Sequence, residues 1–124
     1  MADGLSTANA NLAAAAAVGT NAAFAQLHTA DPGSAGTTAV ASVTTRPALT
    51  WASASGGAVS ANGTLPSWTA WAGTNGQVIT DLSTWSLSSS GTFGLSTPLS
   101  ASQTMNTGDS LTLTSWTVTF PTAS

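Results

Sequence analysis

The sequence predicts a mainly β protein, an antiparallel β-sandwich or jelly roll with one N-terminal α-helix. Composition changes near residue 20, from an Ala-rich start to a stretch in which Thr, Val and Trp alternate with Gly, Pro, Asn and Ser. Beyond that break, turn signals recur roughly every eight to twelve residues, the punctuation of short strands. At 124 residues with no cysteine, the chain is one domain whose core must hold without disulfides. The expected division is an N-terminal Ala-rich helix over 1–20, acting as a docking element, and a β-sandwich domain over 21–124.

The helix rests on the run Ala13 to Ala17, the strongest intrinsic helix former repeated without interruption. Asp3 or Ser6 is placed to cap its start and Gly19 to end it. Leu5 and Leu12 lie two turns apart and, with Val18, form the candidate docking face. So narrow a stripe does not hold a short helix alone in water, so it must dock on its own domain or on a neighbouring subunit.

FAQLHT, residues 24–29, reads as the first strand. Asp31-Pro32-Gly33 follows as a turn, because Asp bonds its own backbone and Pro sets φ. Asn62-Gly63 is the dipeptide of type I′ hairpins, Asn75-Gly76 repeats it, and Asn106 to Asp109 makes a third turn. Before that third turn Leu99, Ala101, Gln103 and Met105 alternate on one face. After it, apolar residues at 111 and 113 change parity to 116, 118 and 120. One face of a strand does not hold both sets, so Ser115 marks a β-bulge or a crossing between sheets.

Charge is nearly absent: 4% of residues against the quarter usual in globular domains, with one Arg (Arg46) and four Asp. One cation does not neutralise a phosphate track, which excludes nucleic acid and anionic membrane as partners. No window approaches a membrane span, and Leu12 to Val18 has no basic flank, so the expectation is a chain used without export through the secretory route. Low net charge favours self-association, as in a protein that spends its life assembled.

The only histidine, His28, precedes Asp31 by one helical turn's spacing, which on a helix would suggest an acid–base pair or half a metal site. Pro32 excludes that helix, so His28, Asp31, Pro32 and Gly33 are read as a structural turn. No G-x-S-x-G elbow surrounds any serine, and carboxylate pairs must come from Asp3, Asp31, Asp81 and Asp109. Ligands for a metal are too few, and Gly33 to Thr37 lacks the Lys of a phosphate loop. Asn62-Gly63-Thr64 matches a glycosylation sequon but reads as hairpin. The expectation is no enzyme, no cofactor and no metal. Of the five tryptophans (51, 68, 71, 85 and 116), Trp68, Trp71 and Trp85 are the candidates for a subunit interface or a platform for stacking on sugar rings.

Taken together, LHTADPGSAGT (27–37), RPALTW (46–51), GGAVSANGTL (56–65) and LSASQTMNTGDSLTLTSWTVTF (99–120) resemble small virion structural proteins of tailed bacteriophages, described as tail-fibre-like, minor tail or capsid-associated. Members share an L-H-T-x-D-P-G start, an R-x-A-L/V-T-W strand and a last hairpin with a G-D-x-L turn. They often carry an acid just after the G-T, which Thr38-Ala39-Val40 lacks, so no role of that residue carries over. The resemblance implies assembly rather than catalysis. Capsid decoration or minor capsid protein stands first, tail or tail-fibre component second, and a glycan-binding module for host attachment third. The implied partners are the chain itself, as a homo-oligomer with a trimer favoured, and the major capsid protein or tail proteins. The implied location is the virion, assembled in the host cytoplasm.

Overall fold

The computed structural model describes residues 4–122. Asp3, a candidate cap, lies outside them; Ser6 performs that task, its hydroxyl accepting the Asn9 amide at 3.2 Å. Helix α1 runs Thr7–Ala17, and seven strands follow: β1 Phe24–His28, β2 Ala58–Ser60, β3 Ser67–Trp68, β4 Gln77–Trp85, β5 Phe93–Met105, β6 Leu111–Thr112 and β7 Thr117–Thr119. The mainly β, antiparallel architecture with one N-terminal helix therefore stands. Pairing is divided between a three-stranded sheet, ordered β1-β4-β5, and two ribbons, β2-β7 and β3-β6.

Burial explains the long hairpin β4–β5 at the centre. Ile79 and Leu82 on β4 join Leu27 of β1, Met105 of β5 and Trp68, Trp71 and Trp116 in one core cluster. The free side of β1 is covered by the extended segment 39–49, where Ala41 N donates to Leu27 O and Ala25 N to Pro47 O, both at 3.0 Å. Pro47 brings no donor of its own, so this segment bridges β1 only at intervals. On β5, residues 99–102 stand opposite Thr80 alone, between the pairs Asp81↔Pro98 and Ile79↔Gln103. Proline is tolerated in a sheet at such an irregularity.

The crossing expected near Ser115 is present. β6 pairs with β3 and β7 with β2, so residues 113–116 carry the chain from one ribbon to the other. Trp116 sits on this crossover, buried and tilted against Trp51 with ring centroids 5.4 Å apart.

Two expectations need correction. The Asn-Gly turns are not type I′ hairpins, because Gly63 and Gly76 have positive φ and their asparagines do not. Neither joins two paired strands. Nor does Asn106 to Asp109 close a hairpin: Trp71 N donates to Asp109 O and Gly108 N to Trp71 O, which draws β6 to β3 instead of β5. The inward face of α1 is Ala10 and Ala14, continued by Val18, at i, i+4 and i+8, which leaves Leu5 and Leu12 outside the domain. Small side chains let the helix lie close enough for Asn11 Oδ1 to accept the Gly57 amide at 2.7 Å, and Leu12 points outward, 70% exposed.

Two substitutions test this packing. Ala14→Leu should overfill the contact with Val59 and cost about 1–3 kcal/mol, whereas Leu12→Ala should change stability by less than about 0.5 kcal/mol. Urea denaturation that ranks them the other way would reverse the helix orientation. Trp116→Ala should cost about 3–5 kcal/mol by the same measurement.

Candidate functional site

His28 ends β1 and is fully buried. Its Nδ1 lies 2.9 Å from Thr38 O and its Nε2 2.7 Å from Ser83 Oγ, which also accepts the Trp85 indole N–H at 2.8 Å. Chemistry orders the protons. A carbonyl only accepts, so Nδ1 carries the hydrogen; the indole only donates, so the Ser83 hydroxyl donates onward to Nε2. Burial holds the imidazole below its ordinary value of 6.5, which keeps it neutral as this order requires.

A serine and a histidine at this distance resemble a nucleophile and its base. Here Nδ1 is held by a carbonyl rather than a carboxylate, and Ser83 is fully buried, so the pair has no third member and no access for a substrate. Ser83 was not legible as the partner of His28, because only the β1–β4 pairing brings them together.

The turn after β1 is the one expected. Asp31 Oδ1 accepts the Gly33 amide at 2.8 Å, Pro32 is buried, and Asp31 is exposed and directed to its own backbone. Gly36 completes the turn at φ 71°, and a Cβ there would strike the Phe93 ring. Asp109 likewise serves its own turn, accepting the Asn106 amide at 2.9 Å, and Asp81 accepts the Thr80 hydroxyl at 2.6 Å. Among the described residues no group of three or more His, Cys, Asp or Glu side chains converges.

Trp68, Trp71 and Trp85 are all buried inside the domain. Their burial leaves little ring surface in the single chain for stacking on a sugar. Each indole N–H is satisfied internally: Trp68 by Thr45 O at 2.9 Å, Trp71 by Thr74 O at 3.0 Å, and Trp85 by Ser83. Of the proposed docking residues, Val18 is inside and Leu5 and Leu12 are outside.

Two concavities remain. The larger, about 400 Å³, lies between the 97–101 stretch of β5 and the 111–117 segment, with Trp68, Leu82 and Trp116 among its walls and no charged side chain. The smaller, about 340 Å³, is walled by Gln26, Thr44, Thr45, Arg46 and Ser88 to Ser90. There the Arg46 guanidinium lies 4.0 Å above the Trp85 ring, and its Nη1 donates to Leu87 O at 3.2 Å and Ser90 O at 2.6 Å. Sequence reading passed over this loop, although the run SLSSSGT (86–92) carries the turn that closes the β4–β5 hairpin.

A family model described as Podophage GP4 fiber I protein gp80 matches residues 4–121. No curated protein and no solved structure matches.

The buried imidazole fixes a pH dependence. Its pKa is lower folded than unfolded, so the unfolded chain binds the proton first as pH falls below 6.5. Stability should be greatest well above that value and decline as pH falls from about 6.5 to 5.5, by at most about 1.4 kcal/mol per pH unit. Thermal unfolding across this range should show the decline in the wild type and a flat profile in His28→Leu. A wild-type melting temperature that rises on acidification would contradict a neutral, buried His28.

Proposed function

The chain belongs to the podophage GP4 fiber I protein gp80 family, and on that premise we propose that it is a tail-fibre subunit of a podophage virion. The carrying observation is the extent of the match, which takes in the helix, every strand and the crossover between the ribbons. Membership makes the chain a bacteriophage structural protein. It favours fibre over capsid decoration, the reading that stood first on sequence alone.

The physical character of the chain supports a role in assembly without catalysis. Its surface is hydrated by Ser, Thr and Asn, so contacts between subunits rest on hydrogen bonds and apolar area that salt does not screen. In this reading identical copies assemble with closed symmetry, a trimer being the arrangement expected from the sequence. Leu12, outward on α1, and the uncharged cleft beside β5 are the surfaces offered to neighbouring copies or to other tail proteins. Pro98, which has no amide hydrogen, and the register break over 99–102 interrupt β5, which limits uncontrolled strand addition there.

Cryo-electron microscopy of virions carrying an antibody fragment against this chain tests the proposal. Label on fibres of the tail is the expected result. Label at regular positions on the capsid lattice would overturn it and restore decoration.

A further inference from the structure

The two Asn-Gly dipeptides share a sequence and an exposure but not a geometry. Asn62, Gly63, Asn75 and Gly76 are all exposed, and both glycines have positive φ. Their hydrogen bonds differ. The Gly63 amide donates to the Oδ1 of Asn62 itself at 2.8 Å, its one described acceptor. Gly76 N donates instead to Met105 O at 2.7 Å, and Asn75 Oδ1 accepts the Thr107 amide at 2.9 Å. At 62–63 the amide and the carboxamide therefore face one another. At 75–76 each is turned to a different partner.

Thr50 holds the first arrangement in place. Asn62 N donates to Thr50 O at 2.8 Å, the Thr50 hydroxyl donates to Asn62 O, and Thr64 N donates to Thr50 Oγ1 at 3.0 Å. The Asn62 backbone is thus fixed on both sides of its Cα, with the side chain folded over the next amide. Gly63 has φ 77°, and a Cβ there would meet Thr50 Oγ1 at 3.0 Å, so the turn favours glycine. The same lack of a side chain leaves the Gly63 nitrogen unshielded.

We propose that Asn62 is a site of spontaneous modification: its side chain cyclises onto the Gly63 nitrogen with loss of ammonia, and hydrolysis leaves aspartate or isoaspartate in the turn. Loss of the Gly63 amide proton to solvent base frees an electron pair on the side already turned to the carboxamide. That pair forms the N–Cγ bond. The Cγ–Nδ2 bond then breaks, and its nitrogen takes a proton from water and leaves as ammonia. Water opens the resulting cyclic imide without any oxidation or reduction. Addition at Cγ gives aspartate; addition at the former main-chain carbonyl gives isoaspartate, whose backbone runs through Cβ and Cγ. Holding the two groups in contact removes much of the ordering cost of ring closure. At 75–76 that contact forms only after hydrogen bonds to Met105 and Thr107 have opened. Either product takes the formal net charge from −3 to −4. On a surface almost without ions, this changes what a neighbouring molecule meets at the turn, and the longer isoaspartate backbone shifts Thr64 against Thr50.

The test incubates the full folded chain at mildly alkaline pH, beside a sample unfolded in guanidinium chloride. Chymotryptic peptides carrying Asn62 and Asn75, which cleavage at Trp68 and Trp71 separates, are followed by mass spectrometry. Incubation continues until Asn75 has converted in the unfolded sample, which reports the reactivity of the dipeptides without the fold. In the folded protein Asn62 should convert to a mixture of aspartate and isoaspartate. Asn75 should convert about tenfold more slowly, the rate equivalent of two hydrogen bonds that must open first. Unfolded, the two should convert at similar rates. Asn62→Gln, whose longer side chain closes the imide far less readily, should remove the acidic species of this turn and leave the Asn75 peptide unchanged. Equal rates at the two sites in the folded protein, faster conversion at Asn75, or an unconverted Asn62 would each overturn the site. Virion labelling is independent of this outcome, because the chemistry of the turn requires no particular place in the virion.

Discussion

A buried chain of neutral hydrogen bonds, from the Trp85 indole through Ser83 and His28 to the carbonyl of Thr38, ties together three segments of this domain that are distant in sequence. It spans β4, β1 and the segment that folds back after the Asp31 turn. Each atom has one role available to it, so shifting β1 against β4 by one residue would leave a donor or an acceptor unmet in the interior. The same chain orients Trp85, on which Arg46 rests and from which the 86–92 loop is held.

The composition explains why such devices matter here. With almost no charge, the molecule has few ion pairs with which to pin irregular segments. The indoles take that role: Trp51 donates to Ala22 O, Trp68 to Thr45 O and Trp71 to Thr74 O, each reaching a stretch of chain outside the regular strands. A tryptophan thus buries a large apolar area and cross-links the backbone with one group. This also leaves little ring surface in the single chain for a sugar platform. A domain built this way keeps its internal geometry across changes of ionic strength, since no step of the linkage depends on screened charge.

Local chemistry was legible in the sequence where it was self-contained. Ser6 as cap, the Asp31-Pro32-Gly33 turn and the parity change at Ser115 each depend on a few adjacent residues, and each is found. Partnering between distant segments was not. Asn62-Gly63 and Asn106 to Asp109 carry hairpin signals, yet Thr50 and Trp71 bind these turns from elsewhere and the flanking strands pair with other partners. Which face of the helix packs on its own domain was not legible, because the strand beneath it accepts alanine by close approach and leaves the leucines outside. Ser83, Gln26 and the Ser-rich loop escaped notice because polar residues in a strand and serines in a loop carry no distinguishing local pattern. Ser83 and Gln26 matter through burial and the loop through its hold on Arg46, which only the fold reveals.

The central claim is that His28 is a neutral link in a directed hydrogen-bond chain. ¹⁵N-edited NMR of the imidazole at pH 6.5, where an ordinary histidine is half protonated, tests it most directly. The account predicts a single neutral tautomer with the proton on Nδ1, protected from exchange with solvent, and Nε2 with the shift of an acceptor nitrogen. A proton on Nε2, or an imidazolium at that pH, would contradict it.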